Sequence, residues 1–336
     1  MNQGTAAPFP QVTGHEEIRR HLMGALTSGK LSHAYLLEGM EGVGRRTMTM
    51  AFIQALLCAE NGGRKEGCGR CVSCRTIMDG NHPDVRRICV PKGEGTIRVR
   101  QIREELVQDI MIRPYQSPWK IYIIEEAEKL GIEAQNAMLK TIEEPPSYGM
   151  IFLIASGADA LLPTIRSRCV KLSFQPLPRD VIYAELLRRG LPEKQAAVGA
   201  DFSQGSLGRA LALSGDEDFA ALREELYGLL SELPEKSLGW LLEQEPLLEK
   251  YKKEADSLLE LLVVWYRDVL VWQQTGDPER LLTTDYRRAI ARMGEAFPGE
   301  QIVRVLHKIE EIREKLEQNA NYSLAMDCLL LAMGKN

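Results

Sequence analysis

The chain has no long apolar run. Nothing in its 336 residues approaches the roughly 18 to 20 consecutive apolar positions that a bilayer-spanning helix needs, which excludes a helical membrane protein. The opening stretch MNQGTAAPFPQVTGHEE lacks the charged, then apolar, then small-residue order of a secretory leader. A cytoplasmic protein with reduced cysteines is therefore expected. A basic excess is missing too: the formal net charge of -5 argues against a chain that coats nucleic acid by charge alone. A local surplus exists over residues 64–120, with 12 basic against 7 acidic residues, and it reads equally well as a solvated mixed surface. There is no internal repeat and no low-complexity tract. What is present is ordinary globular composition, 44% hydrophobic and 26% charged, in a length that suits two or three domains.

The pattern of apolar residues changes near residue 175. Before it, β-like runs at 34–39 (AYLLEG), 119–126 (WKIYIIEE) and 150–156 (MIFLIAS) alternate with helical segments at about 45–59 and 136–144. Strands alternating with helices imply a parallel sheet covered on both faces, and the near-continuous apolar runs IYII and IFLIA suit strands buried on both sides. After FQPLPRD (174–180) the apolar residues recur only at helical spacing, as in SLLELLVVWYRDVLVW and QIVRVLHKIEEIREKLEQ. The C-terminal half is expected to be all helical.

The stretch LLEGMEGVGRRTMTM (36–50) has the outline of a phosphate-binding loop, with Gly39, Gly42 and Gly44 in place between a strand and a helix. Backbone N–H groups and the positive end of a helix dipole at such a turn suit a phosphate. Two working parts are replaced: Arg45 stands where the motif has its lysine, and Arg46 stands where a Ser or Thr hydroxyl would ligate Mg²⁺. Thr47 offers a hydroxyl one residue late, which on a helix points about 100° away. ATP and Mg²⁺ binding is therefore doubtful, and two readings stand side by side: a loop kept for packing with at most an anion in it, or a true nucleotide site. The strand end WKIYIIEEAEKL places Glu125 and Glu126 where a hydrolysing protein holds its metal and activates water. Those acids also suit the start of the next helix.

Four cysteines form a sharper candidate. Cys58, Cys68, Cys71 and Cys74 are separated by nine, two and two residues, with Gly62, Gly63, Gly67 and Gly69 between or beside them. Paired CxxC spacing brings thiolates to one tetrahedral ion. Four soft ligands without histidine favour a structural Zn²⁺; an iron–sulfur cluster, which CxxCxxC also suits, and unligated thiols are the alternatives. Cys89, Cys169 and Cys328 stand apart and are expected to be buried small hydrophobes.

The order HAYLLEG, glycine-rich loop, four-cysteine insert, acidic strand end, NAMLKTIEEPP, LLPTIRSRC and QGSLGRAL, followed near the C-terminus by EQNANYSLAMDCLLLAM, resembles the bacterial clamp-loader subunits of the AAA+ class. The resemblance spans almost the whole chain. It implies an α/β P-loop AAA+ module (parallel sheet with helices on both faces) over 1–173, a small helical lid domain over 174–213 and an all-α C-terminal collar domain over 214–336. It implies partners as well: other loader subunits in a hetero-oligomeric ring, the sliding clamp indirectly, and primed DNA weakly through its phosphates. In the family's motor subunits the arginine of Ser-Arg-Cys reaches the γ-phosphate of ATP held by a neighbour, and Arg168 occupies that place. The motors also carry an arginine after Gly-Ser-Leu, where this chain has Gly208, with Arg209 one step on. Arg45, Arg46, Glu125 and Gly208 all weaken the chain's own ATP site while Arg168 is intact, the pattern of a stator without ATPase activity of its own. Glu143 and Glu144 close a predicted helix where carboxylates oppose the dipole, which suggests a basic partner or a solvated end. Two rival classes stay open: an active hydrolase in which Arg45 replaces the lysine and Thr47 or water serves Mg²⁺, and a zinc-dependent adaptor whose cysteine insert reads DNA.

Overall fold

The computed structural model describes residues 8–61 and 66–334, in two compact units, Met1–Ser214 and Gly215–Asn336. In the first, β1 (Ala34–Glu38), β2 (Val85–Ile88), β3 (Lys120–Ile124), β4 (Gly149–Ala155) and β5 (Val170–Ser173) form a wholly parallel sheet in the order β2-β3-β4-β1-β5. Helix α1 (Glu16–Ser28) precedes the sheet; parallel neighbours need crossover connections, supplied here by α2 (Arg45–Leu57), α3 (Val72–Met78), α4 (Val99–Ile102), α5 (Ile132–Glu143) and α6 (Pro163–Arg166). Helices α7 (Arg179–Arg188), α8 (Glu193–Asp201) and α9 (Leu207–Ser214) complete the unit.

Strand alternation builds two cores from the same strands. Tyr35, Leu37, Ile123, Phe152 and Ile154 point to one face and pack with Leu22 of α1 and Phe52 of α2; Leu36, Tyr122, Ile124, Ile151 and Leu153 point to the other and meet Leu106, Ile110 and Met138. Register places Tyr35 opposite Phe152, their rings stacked at 5.3 Å, with Phe52 edge-on to Phe152 at 5.8 Å. Both faces are therefore sealed, which is why the central strands read as unbroken apolar runs. Ile182 of α7, Ala196 of α8 and Ala210 of α9 join the core on the α1–α2 side.

Among its described residues the second unit is helical throughout: α10 (Glu217–Glu232), α11 (Leu238–Leu242), α12 (Glu245–Lys250), α13 (Ala255–Thr275), α14 (Arg287–Ala296), α15 (Gly299–Glu317) and α16 (Tyr322–Met333). Asp216 caps α10 by accepting from the Phe219 N–H, and Asn321 caps α16 by accepting from Leu324. The long helix α13 buries Leu258, Leu262, Trp265, Tyr266 and Val269, and the Trp265 indole N–H donates to the Met293 sulfur at 2.9 Å. Arg223 makes a two-pronged pair with Asp285 at 2.7 and 2.9 Å. The fully buried Asp268 accepts from the N–H and hydroxyl of Thr283. Removing Asp268 would leave the buried Thr283 N–H and hydroxyl without their acceptor, which costs about 1–3 kcal/mol. No helix among the described residues is long and apolar enough to cross a membrane.

The isolated cysteines correct an expectation. Cys89 and Cys328 are exposed and Cys169 is half-buried. Cys89 follows directly on the edge strand β2, and Cys328 shares the outer face of α16 with the exposed Leu324 and Leu331. Apolar side chains on a surface are ordinary, since a folded chain lacks enough polar area to cover itself.

Candidate functional site

The turn between β1 and α2 carries Gly39, Gly42 and Gly44, the last being the residue before the helix, at φ +110°. No side chain caps α2, and its first turn borders a cleft of about 530 Å³ that Arg45, Arg46, Thr47, Glu125, Glu126 and Gly208 help to line. The loop is held from the far side by α9. The Gly208 N–H donates to the Gly42 carbonyl at 2.9 Å, a Cβ on Gly42 would come within 2.3 Å of the Ser206 hydroxyl, and one on Gly208 within 2.8 Å of the Gly42 Cα. Neither position accepts a side chain without separating the loop from the helix. At Gly208 this chain makes a backbone clasp on the loop.

The charges in the cleft are spent on each other. Arg46 Nε lies 3.4 Å from Glu125 Oε1. Arg87, at the edge of the sheet on β2, donates to the same oxygen from Nε at 2.9 Å and approaches it with Nη2 at 2.8 Å. Glu126 sits at φ +50° and is paired with Lys129. Glu128 accepts from the Ser156 hydroxyl at the end of β4. Burial draws the Arg45 guanidinium below its ordinary value, with the carboxylates of Glu128 and Glu41 acting against that fall. Chemically the cleft offers an anion the uncapped first turn of α2 and Arg45, against a lining that also holds Glu41, Glu125, Glu126 and Glu128. It has no hydroxyl at the metal-ligating position, and the acid that would share a metal already serves two guanidinium groups.

Arg168 stands two residues after α6. Its Nη2 lies 2.8 Å from Glu143 Oε1, and its Nη1 donates to the Thr164 carbonyl at 2.9 Å. About 40% of the side chain remains exposed, so the guanidinium is fixed in place yet open to solvent. The basic group facing the end of α5 is thus within the chain.

The four cysteines come together. Their sulfurs lie within 4.8 Å of one another, Cys58 and Cys74 buried, Cys68 and Cys71 half-buried. Backbone N–H groups of Cys68, Cys71 and Cys74 point at the sulfurs of Cys58, Cys68 and Cys71 at 3.3–3.4 Å. At Cys71 burial by itself would push the thiol up, but the N–H groups of Cys74 and Ala59 outweigh this and draw it down to about 6, while burial pushes the Cys74 thiol up. Tetrahedral bonds of about 2.3 Å place sulfurs about 3.8 Å apart, so the group needs only a small contraction to hold one ion. The Gln54 amide on α2 donates to the Cys74 carbonyl at 3.4 Å, and Arg70 makes two contacts to Glu60 across the loop at 2.9 and 3.1 Å. Gly62 and Gly63, expected to wrap the cluster, lie outside the described residues, as do Arg64 and Lys65 of the basic stretch.

With this geometry in hand, the chain can be compared with known proteins. Residues 14–178 match the family described as DNA polymerase III, delta subunit, and residues 217–335 match its C-terminal domain. A DNA polymerase III subunit delta' from Pseudomonas aeruginosa is 31% identical over 312 residues, covering 89% of this chain and 91% of that protein. The chain belongs to the DNA polymerase III subunit delta' family. A second delta' subunit, from Bacillus subtilis, is 29% identical over 319 residues, 94% of this chain and 95% of its own. Among solved structures, a gamma subunit-related protein of DNA polymerase III from Thermotoga maritima aligns over 93% of this chain and 98% of its own, at 17% identity and a TM-score of 0.44.

Within this delta'-family chain, three participants were not legible beforehand. Arg87 sits in a strand that the sequence did not announce, and no local spacing links it to Glu125. The Ser156–Glu128 contact joins the end of β4 to the short helical turn that follows β3. The Arg168–Glu143 pair had a signal, the helix-closing carboxylate, but not an address.

Proposed function

We propose that this delta'-family chain is the stator of a bacterial clamp loader. It does not hydrolyse ATP; it supplies Arg168 in trans to ATP held by a neighbouring gamma or tau subunit while the ring-shaped clamp is loaded on primed DNA in the cytoplasm. Delta would be a further ring partner, the clamp an indirect one, and the 215–336 helices the collar that holds the ring. The Cys58, Cys68, Cys71 and Cys74 cluster would hold a structural Zn²⁺, because four thiolates leave no open position for a reacting water.

The observation that carries the reading is an asymmetry. Arg46 and Arg87 occupy the acid of the chain's own cleft, while Arg168 is presented at the surface. A guanidinium delivered to a transferring phosphoryl group stabilises charge that develops only in the transition state.

A loader reconstituted with Arg168→Ala tests it. Single-turnover hydrolysis at the neighbouring site is expected to slow by about a thousandfold or more, the scale on which arginine fingers act, with ATP affinity little changed. Unchanged DNA-stimulated hydrolysis would remove the finger role.

A further inference from the structure

The segment bearing Arg168 is tied to α5 at both ends of that helix. Near its start, the Gln135 side chain, 1% exposed, donates to the carbonyls of Leu130 and Ala160 at 3.0 Å each and accepts from the Leu162 N–H at 2.7 Å. At its end, Glu143 holds Arg168. Leu130 closes the short segment that begins at Glu125, and α5 starts two residues later at Ile132, so the segment after the acidic strand end leads into the helix whose last residue holds Arg168.

We infer that Glu143 is a positioning residue for Arg168, an inference that rests on the in-trans reading above. Both side chains are near 40% exposed, and ion pairs of that kind contribute little to stability. What the pair does supply is geometry. An arginine side chain carries considerable rotamer freedom, and a finger that must be ordered at the moment of docking loses part of its effect to that ordering. Glu143, the Thr164 carbonyl and the Ser167 hydroxyl at 3.4 Å hold the guanidinium in one place before the neighbour arrives. They engage Nη1 and Nη2 of a group with five N–H donors. The carboxylate's position as the last residue of α5 opposes the helix dipole, and the guanidinium beside it relieves that cost.

The test uses the reconstituted loader with Glu143→Ala, Glu143→Gln, Arg168→Ala and the Glu143→Ala/Arg168→Ala pair, read as single-turnover kcat and KM for ATP at the neighbouring site. Glu143→Ala should lower kcat about tenfold, a fraction of what misplacing a catalytic group can cost, with KM and Tm unchanged. Glu143→Gln should fall between, because its amide oxygen still accepts a hydrogen bond. The double variant should be no slower than Arg168→Ala alone. Normal kcat in Glu143→Ala beside a slow Arg168→Ala overturns the positioning role and leaves the finger standing. A normal Arg168→Ala overturns the finger and the positioning role with it. A double variant slower than Arg168→Ala shows Glu143 acting elsewhere and also overturns it.

Discussion

Arg46 and Glu125 close on each other across the cleft, guanidinium Nε to carboxylate at 3.4 Å, with Arg87 on the same oxygen. A cation is thereby replaced by the protein's own positive charge. The isolated chain should show no Mg²⁺-dependent ATP turnover. Arg46→Ser combined with Arg87→Ala restores a hydroxyl and releases the acid, and should raise Mg²⁺-nucleotide affinity by about tenfold or more, the scale of one charge-assisted contact, read by calorimetry. Turnover by the unaltered chain, abolished in Glu126→Gln, would show the site to be alive.

The clasp between loop and α9 predicts a stability contrast. Gly208→Ala puts a Cβ 2.8 Å from the Gly42 Cα and should cost about 1–3 kcal/mol as an overpacking change. Gly24→Ala, in α1 with nothing within 4 Å of its Cβ, should stabilise by about 0.5–1 kcal/mol through helix propensity. Thermal melts of the two variants should move in opposite directions.

The cysteine cluster should bind one metal ion per chain, identified as zinc by elemental mass spectrometry. Chelation should lower Tm, because metal affinity is folding energy for the loop it closes. Cys74, fully buried in the cluster, should on change to Ser weaken metal binding by more than about a hundredfold, since even groups behind the ligands cost 10–100-fold. Iron in the purified protein would point instead to a cluster.

Asp84 anchors the loop before β3. Burial by itself would push its carboxyl up, but the N–H groups of Tyr115, Gln116 and Ser117 and the Ser117 hydroxyl outweigh this and hold it below its ordinary value. A carboxylate depressed in the fold lends stability above its unfolded value, about 3.9, and loses it as pH falls through the folded one. Melts between pH 6 and pH 2 should therefore be steeper for the native chain than for Asp84→Asn. That variant should be about 1–3 kcal/mol less stable at neutral pH, having lost part of the acceptor capacity that the buried Asp84 gives to four donors of the loop.

The three central strands and the two long helices that flank the site were readable from sequence because burial on both faces leaves an unbroken apolar mark. β2 (VRRI) and β5 (VKLS) were not. Both are edge strands and carry Arg86, Arg87 or Lys171, as edges exposed to solvent do, which dilutes any β signal. The loop's missing lysine and hydroxyl were plain in the motif. That Arg46 answers Glu125, and Arg168 answers Glu143, was not, because each pair joins elements that only the sheet order brings together. The exposed Cys89 and Cys328 show the reverse error, a residue type taken as a guide to burial where strand edge and helix face decide.

The mutual fit of Gly42 and Gly208 has a bearing on descent. Each residue occupies the room that a side chain on the other would need, and the loop's acid partner is bound by two separate arginines. A lineage that regained lysine at 45 and serine at 46 would still meet a closed clasp and a neutralised Glu125, and one that regained arginine at 208 would first prise the loop off its support. No single reversion is rewarded. Under the proposed stator role, loss of hydrolysis would act as a ratchet, and the role left to selection would be the one carried by Arg168.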